Sequence, residues 1–232
     1  MKTIGLLGGM SWESSLEYYR IINETVKTRL GGLHSAKSLM FSFDFEEIEA
    51  LQSQGDWQEA TRLMVEAARQ LERGGADFVI ICTNTMHKMA NEVEVSIGIP
   101  LLHIADATAA AVKAQGLQRV GLLGTNFTMT EEFYRGRLQQ VHGLDVLVPG
   151  EAGRQVVHDV IYGELCLGVT KEDSRAQYRG IMADLAEQGA EGIIFGCTEI
   201  GLLVTQEDSP VPVFDTTRIH AETAVAYALR DE

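Results

Sequence analysis

The stretch GADFVIICT, residues 75–83, decides the fold because the chain repeats it. It returns as GAEGIIFGC at residues 189–197, shifted by 114 positions (189 − 75). Each copy has the pattern of a buried strand that ends in a small polar residue, and parallel α/β sheets place their chemistry at that end of a strand. The repeat therefore pairs Thr83 with Cys197 as equivalent residues at two strand ends.

Three further segments recur in the same order and indicate that the chain contains a duplicated unit. The pairs are IGLLG 4–8 with VGLLG 120–124, YYR 18–20 with FYR 133–135, and IPL 99–101 with VPV 211–213. Apolar strands flanked by glycine also recur by chance in α/β proteins, so a single match would carry little weight. Four collinear matches favour duplication.

Composition excludes several classes of protein. The 232 residues carry a formal net charge of −14 without a basic stripe, which argues against binding to a nucleic acid. No apolar run approaches the roughly 20 residues that span a membrane. The three cysteines, Cys82, Cys166 and Cys197, form no CxxC pair, so we expect neither a disulfide framework nor a zinc site. These features predict a cytoplasmic protein.

Strand and helix patterns alternate along the whole chain, which predicts an α/β fold with two parallel sheets, each covered by helices. We expect the last helix, from about Thr217, to pack back on the first half of the chain. The predicted N-terminal domain is therefore discontinuous, residues 1–100 plus 214–232, and the C-terminal domain spans residues 101–213. The apolar face predicted for the first helix comprises Leu16, Tyr19, Ile22, Val26 and Leu30.

Cys197 opens the sequence CTEIG at a predicted strand-to-helix turn. Backbone amides and the positive end of a helix can lower the pKa of a cysteine there, and a thiolate can act as a general base or a nucleophile. A buried, unreactive cysteine is the alternative. The polar residues Thr198 and Glu199 directly after it favour a functional role.

In the first half, the register of the repeat aligns Cys82 with Gly196 and Thr83 with Cys197. Because neighbouring side chains of a strand point to opposite faces, Cys82 is expected to face helix packing and Thr83 to face the cleft. His87 lies one helical turn further on, where a structural role is the more common one. Four residues at strand ends offer donors for a carboxylate: Asn84, Thr85, Thr125 and Asn126.

The segments VIICTNTMH, residues 79–87, and IIFGCTEIGLL, residues 193–203, resemble the two signatures of the aspartate/glutamate racemase family, and the opening GGM, residues 8–10, resembles its aspartate racemase branch. The resemblance implies two pseudo-symmetric α/β domains with an active site in the cleft between them. It implies a racemase that needs no pyridoxal phosphate, other cofactor or metal, and a possible homodimer. It also implies that Met10 and Gln52 lie near the substrate, although Gln52 could equally belong to a solvated loop.

In that family, one residue from each domain flanks the substrate Cα, and both are usually cysteines. This chain departs from the pattern, because Thr83 precedes Asn84-Thr85. A threonine hydroxyl is a poor base unless it is activated. We therefore expect Cys197 to be the competent base, which the family pattern assigns to the L-enantiomer, while Thr83 returns a proton on the opposite face.

The resulting hypothesis is racemisation of aspartate, glutamate or a broader set of amino acids. Thr198 is expected to bind the α-carboxylate with the four donors above, and Glu199 to polarise Cys197 or relay its proton, unless it is only a carboxylate in the first turn of a helix. An isomerase, a decarboxylase or a hydantoin-type racemase on the same scaffold is an alternative reaction. A non-catalytic protein that binds a small molecule is the alternative of a different class.

Overall fold

The computed structural model describes residues 1–230, which form two compact units. Among the described residues, the first unit comprises 1–104 and 220–230, and the second comprises Ala105–Ile219. The chain passes from the first unit to the second at residues 104–105 and back at residues 219–220. None of the helices in the described part of the chain combines the length and apolar character that a membrane crossing requires.

The first unit is built on a four-stranded parallel sheet with the strand order β2-β1-β3-β4. Its strands are β1 Ile4–Gly8, β2 Ser38–Ser42, β3 Phe78–Ile81 and β4 Leu101–Leu102. Its helices are α1 Trp12–Leu30, α2 Phe45–Gln54, α3 Trp57–Arg73, the 3₁₀ segment Thr85–Met89 and α4 Ala90–Glu94.

The second unit has the equivalent strand order, β6-β5-β7-β8, and its pairs are also parallel. Its strands are β5 Arg119–Gly124, β6 Asp145–Leu147, β7 Gly192–Gly196 and β8 Val213–Asp215. The helical segments are α5 Ile104–Ala114, α6 Asn126–Thr130, the π-helix Glu132–Val141, α7 Glu151–Gly163, the 3₁₀ turn Leu165–Leu167, α8 Glu172–Glu187, α9 Ile200–Leu203 and the 3₁₀ turn Gln206–Asp208. The last helix, α10 Thr216–Ala228, begins in the second unit and belongs for most of its length to the first. The prediction of two parallel sheets covered by helices is confirmed.

The packing of β3, which lies within the stretch 75–83, explains why this strand is apolar at every position. Phe78 and Ile80 pack on one face of the sheet with residues of α1 and α10, whereas Val79 and Ile81 pack on the other face with residues of α3. A strand that is buried on both faces needs apolar side chains without alternation. Cys82 extends the first of these two clusters.

The buried face of α1 differs from the predicted one. Ile22 and Val26 are buried as expected, but Leu16 and Tyr19 are more than half exposed, at 53% and 52%. The helix instead buries Tyr18, whose hydroxyl bonds Nδ1 of His220 in α10 at 2.8 Å. Leu30 is exposed as well. The prediction was wrong there because α10 shares this face of the sheet and sets the rotation of α1.

Gly9 allows the chain to turn directly after β1, and an alanine should not be tolerated there. It has a φ of +86°, and a Cβ atom would collide with the backbone nitrogen and oxygen of Phe43. Gly55 is a matched control, because it has a φ of +73° with no atom within 4 Å of a Cβ. We expect Gly55→Ala to lower the free energy of unfolding by about 1 kcal/mol and Gly9→Ala to lower it by at least about 3 kcal/mol, measured by denaturant titration. Equal losses would contradict the steric explanation.

Candidate active site

The predicted site residues of the first unit that follow β1 and β3 lie where these two strands end side by side. Leu7 pairs with Ile81, so the residues that follow the two strands leave the sheet at the same edge. Met10 follows β1, and Thr83 follows β3. Asn84 and Thr85 come directly after Thr83, and Met10, Thr83, Asn84 and Thr85 are all buried. The structure therefore collects these four predicted site residues at one edge of one sheet.

Two side chains hold the carbonyl groups on either side of Thr83. Ser14 Oγ donates to the carbonyl oxygen of Cys82 at 2.8 Å, and His87 Nδ1 lies 2.8 Å from the carbonyl oxygen of Thr83 itself. Both carbonyls lie beyond β3, which ends at Ile81, and buried carbonyls need donors. Sequence reasoning missed Ser14, although its place three residues after the N-cap residue Ser11 marks the first turn of α1.

Gln52 lies on a helix, so its interpretation as part of a solvated loop was wrong. It belongs to α2, which Asp44 caps at its start and Gly55 ends in the left-handed conformation. The side chain is buried, and its Nε2 lies 3.1 Å from Sδ of Met86. Met86 follows the Asn84-Thr85 pair, so Gln52 packs close to the strand-end residues of its unit.

In the second unit, the ends of β5 and β7 bring Thr125 and Cys197 next to each other. Gly124 pairs with Gly196, and each is followed directly by one of these two residues. A Cβ on Gly124 would lie 2.8 Å from the carbonyl oxygen of Gly196, so glycine is required for the two strand ends to approach. Thr125 and Cys197 are buried.

Cys197 and Thr198 share one carboxylate oxygen. The thiol of Cys197 donates to Oε2 of Glu199 with an S···O distance of 3.0 Å, and Thr198 Oγ1 donates to the same oxygen at 2.6 Å. Glu199 is only 3% exposed. A buried carboxylate directly beside the sulfur makes this the most chemically distinctive contact of the second unit.

The pKa of the Cys197 thiol is raised, not lowered. Burial is the main cause, and the negative charge of Glu199 adds to it. The sequence predicted a lowered pKa from the positive end of the following helix. That prediction was wrong because α9 has only four residues, Ile200–Leu203, and contributes little to offset the buried carboxylate. Cys197 is therefore a protonated thiol at neutral pH. Burial alone raises the pKa of Cys82.

His158 approaches the Thr125-Asn126 turn and was not identified from the sequence. Its Nδ1 lies 3.3 Å from the backbone nitrogen of Asn126, which donates to it, and its ring packs near Phe127 and Tyr162. Burial lowers the pKa of His158, in agreement with a neutral ring that accepts this bond. No motif surrounds His158 in the sequence, because α7 brings it to the turn only in the fold.

The arrangement provides two kinds of chemistry in two units. The first unit offers the hydroxyl groups of Thr83 and Thr85 and the amide of Asn84 as hydrogen-bond donors, and it has no thiol at position 83. The second offers a thiol with a carboxylate that can accept its proton, beside the Thr125 hydroxyl. A proton donor and a proton acceptor are the two groups that proton transfer at a carbon atom requires.

Known proteins resemble this chain over most of its length. RacX of Bacillus subtilis (strain 168), a broad specificity amino-acid racemase, is 25% identical over 175 residues, which are 74% of this chain and 73% of RacX. The crystal structure of a candidate Asp/Glu racemase from Yersinia pestis is 56% identical with a TM-score of 0.93, covering 99% of this chain and 100% of that one. An aspartate racemase homologue from Pyrococcus horikoshii OT3 is 32% identical with a TM-score of 0.86 and the same coverage.

The model of the Asp/Glu/hydantoin racemase family matches residues 7–224. The match includes the ends of β3 and β7 and therefore both residues that the repeat pairs. On this evidence, the chain belongs to the Asp/Glu/hydantoin racemase family.

Proposed function

We propose that the protein is a cytoplasmic amino-acid racemase that acts on aspartate, glutamate or a broader set of amino acids without pyridoxal phosphate. Cys197 removes the Cα proton of the L-enantiomer, and Thr83 supplies a proton to the opposite face. Membership of the racemase family supports the class of reaction. The single observation that carries the assignment of the base is the 3.0 Å contact between Cys197 Sγ and Glu199 Oε2.

The contact matters because the thiol must lose its proton before it can act as a base. Its raised pKa leaves very little thiolate at neutral pH, so the proton needs an acceptor within reach. Glu199 already accepts the S–H hydrogen bond. When the thiol transfers its proton from Sγ to the carboxylate, it becomes a thiolate. The thiolate then takes the Cα proton and becomes a thiol again.

The carbanion that remains carries its electron pair into the α-carboxylate. Hydrogen-bond donors aimed at that carboxylate stabilise the developing charge most in a site from which water is excluded. The candidate donors are Asn84, Thr85, Thr125, Asn126 and Thr198, and all of them except Asn126 are buried. The Thr83 hydroxyl gives its proton to Cα and regains one from solvent. Glu199 releases the proton that it took from Cys197 to solvent, which returns the site to its starting state.

With Thr83 in place of a cysteine, the L-to-D and D-to-L reactions differ in their kinetic constants, whereas the equilibrium between the enantiomers is unchanged. A hydroxyl with a high pKa readily protonates a carbanion but is a poor base for removing the proton of the D-enantiomer. The two enantiomers have equal free energies in an achiral solvent, so the ratio of the two kcat/KM values must be one. The asymmetry therefore appears as a difference in kcat that an equal difference in KM offsets.

The first prediction tests the reaction and its base. In heavy water and without added cofactor, the protein should exchange the Cα hydrogen of an acidic amino acid for deuterium, detected by mass spectrometry across D- and L-amino acids. Cys197→Ser should reduce the exchange at least about 100-fold, because a hydroxyl is a far weaker base than a thiolate. Cys82→Ser is the matched control and should keep most of the exchange.

Two results would contradict this function. A protein that binds amino acids but exchanges no Cα hydrogen would be a small-molecule binding protein. Equal losses from Cys82→Ser and Cys197→Ser, with both variants folded, would mean that the thiol at the end of β7 has no special role.

The second prediction concerns the carboxylate beside the thiol. Glu199→Gln removes a negative charge next to Sγ, so the pKa of Cys197 should fall and its alkylation by iodoacetamide at pH 7 should accelerate at least about threefold. Peptide mass spectrometry reports each cysteine separately. Cys82 in the same sample is the internal control, because burial alone raises its pKa and its rate should not change. An unchanged or slower reaction at Cys197 would exclude this effect of Glu199.

The third prediction concerns the asymmetry. Thr83→Cys places a second thiol at the end of β3 and should bring the kcat values of the two directions closer together. Polarimetry with each pure enantiomer measures both directions. A folded Thr83→Cys protein with no activity in either direction would argue against a role for Thr83 at Cα.

A further inference from the structure

His87 uses both nitrogen atoms of its ring in hydrogen bonds that fix its protonation. Nδ1 lies 2.8 Å from the carbonyl oxygen of Thr83, and Nε2 lies 3.2 Å from the backbone nitrogen of Ile104. A carbonyl oxygen only accepts and a backbone N–H only donates, so Nδ1 carries the proton and Nε2 carries a lone pair. The ring is therefore neutral and held in one tautomer and one orientation.

Other rings surround this imidazole and prevent it from turning. The His103 ring centroid lies 4.5 Å from that of His87, and the His220 centroid lies 5.8 Å away. His220 is itself fixed, since its Nε2 lies 2.8 Å from the carbonyl oxygen of Leu102 and its Nδ1 lies 2.8 Å from the Tyr18 hydroxyl. His87 and His220 are 2% and 0% exposed, so water does not compete for these bonds.

The second unit has no counterpart of this ring. The repeat aligns position 87 with position 201 (87 + 114), where the chain has Gly201. There the side chain of Glu199 contacts the strand-end residue Cys197 directly. The imidazole thus belongs only to the half of the duplicated unit that carries Thr83, the weaker of the two proposed proton-transfer groups.

A hydrogen bond to the Thr83 carbonyl controls where the Thr83 side chain points. It fixes the peptide plane after Thr83, while the bond from Ser14 to the carbonyl of Cys82 fixes the plane before it. With both planes fixed, the direction of the Cα–Cβ bond of Thr83 is also fixed. Proton transfer to carbon depends steeply on such alignment, and an error of about 1 Å can cost about 100-fold in rate.

We propose that His87 is a positioning residue for Thr83: its neutral ring holds the Thr83 carbonyl so that the hydroxyl is aligned with the substrate Cα. This proposal rests on the proposed function, because it assigns Thr83 the proton returned to the carbanion. His87 acts through the backbone and not on the substrate.

Two substitutions at His87 separate this role from simple packing. In His87→Asn, Nδ2 can take the place of Nδ1, as the chain shows at Asn23, whose Nδ2 donates to the carbonyl oxygen of Tyr19, also four residues earlier, at 2.7 Å. In His87→Gln, the longer amide can reach the position of Nε2 but not that of Nδ1. Asparagine leaves the larger cavity, so an effect of packing alone would make His87→Gln the more active variant. An effect of the bond to Thr83 would make His87→Asn the more active one.

Two reactions report on the two halves of the mechanism. Racemisation of L-aspartate needs proton removal by Cys197 and proton return by Thr83. Loss of chloride from 3-chloro-L-aspartate needs only the first step: the Cα proton goes to the Cys197 sulfur, the Cα–H electron pair forms a Cα=Cβ bond, and chloride leaves with the Cβ–Cl pair. The ratio of racemisation to chloride release therefore measures the Thr83 step alone.

We expect His87→Gln to lower racemisation about 100-fold and chloride release less than about threefold, and His87→Asn to keep both within about threefold of the parent protein. Thermal unfolding should rank the variants in the opposite order, with Gln the more stable. Tyr18→Phe is the matched control, since it removes the bond to His220 and leaves the bond between His87 and Thr83. It should lower the unfolding temperature without changing the ratio.

An equal fall in racemisation and chloride release for His87→Gln would overturn the proposal, and so would a ratio for His87→Asn as low as that for His87→Gln. A change in the ratio for Tyr18→Phe would also overturn it, because the whole cluster and not the contact to Thr83 would then be responsible. A parent protein that performs neither reaction would instead refute the proposed function.

Discussion

The need to satisfy buried carbonyl groups at the ends of β3 and β7 and just beyond them shapes both candidate sites. Each strand is buried on both faces, and its ladder of hydrogen bonds stops where the chain turns towards a helix. The carbonyls at that point are still buried, so side chains must supply the donors. Ser14 and His87 do so in the first unit, and Thr216 Oγ1 donates to the carbonyl of Phe195 at 2.7 Å in the second. These donors fix the backbone that carries the polar residues.

The two units keep the same sheet but have diverged in these supporting groups. The strand orders correspond, and the glycine-rich ends of β1 and β5 recur. At the strand ends, Thr83 is held through its carbonyl by an imidazole, whereas Cys197 contacts a carboxylate through its sulfur. The two units therefore share the arrangement of their backbone, while the chemistry of each depends on a few side chains that the backbone does not dictate.

The sequence predicted the fold well because the fold depends on patterns that repeat. Continuous apolar runs indicated the strands, and the alternation of these strands with helical segments indicated the α/β fold class. The sequence did not predict features that depend on partners far along the chain. The rotation of α1 depends on His220, and the double hydrogen bonding of His87 depends on Ile104. The raised pKa of Cys197 depends first on the burial of its own sulfur and then on the charge of Glu199. The solvated loop considered for Gln52 was wrong because the residues around it form α2, which Asp44 caps at its start and Gly55 ends.

The protonated state of Cys197 has a consequence for the lifetime of the protein in the cell. Oxidants such as hydrogen peroxide attack the thiolate and not the thiol, and the first product, a sulfenic acid, proceeds to irreversible sulfinic and sulfonic acids if nothing intercepts it. Burial and the negative charge of Glu199 keep the proton on the sulfur of Cys197 and so protect it from this damage. The contact with Glu199 thus favours the form of Cys197 that resists oxidation.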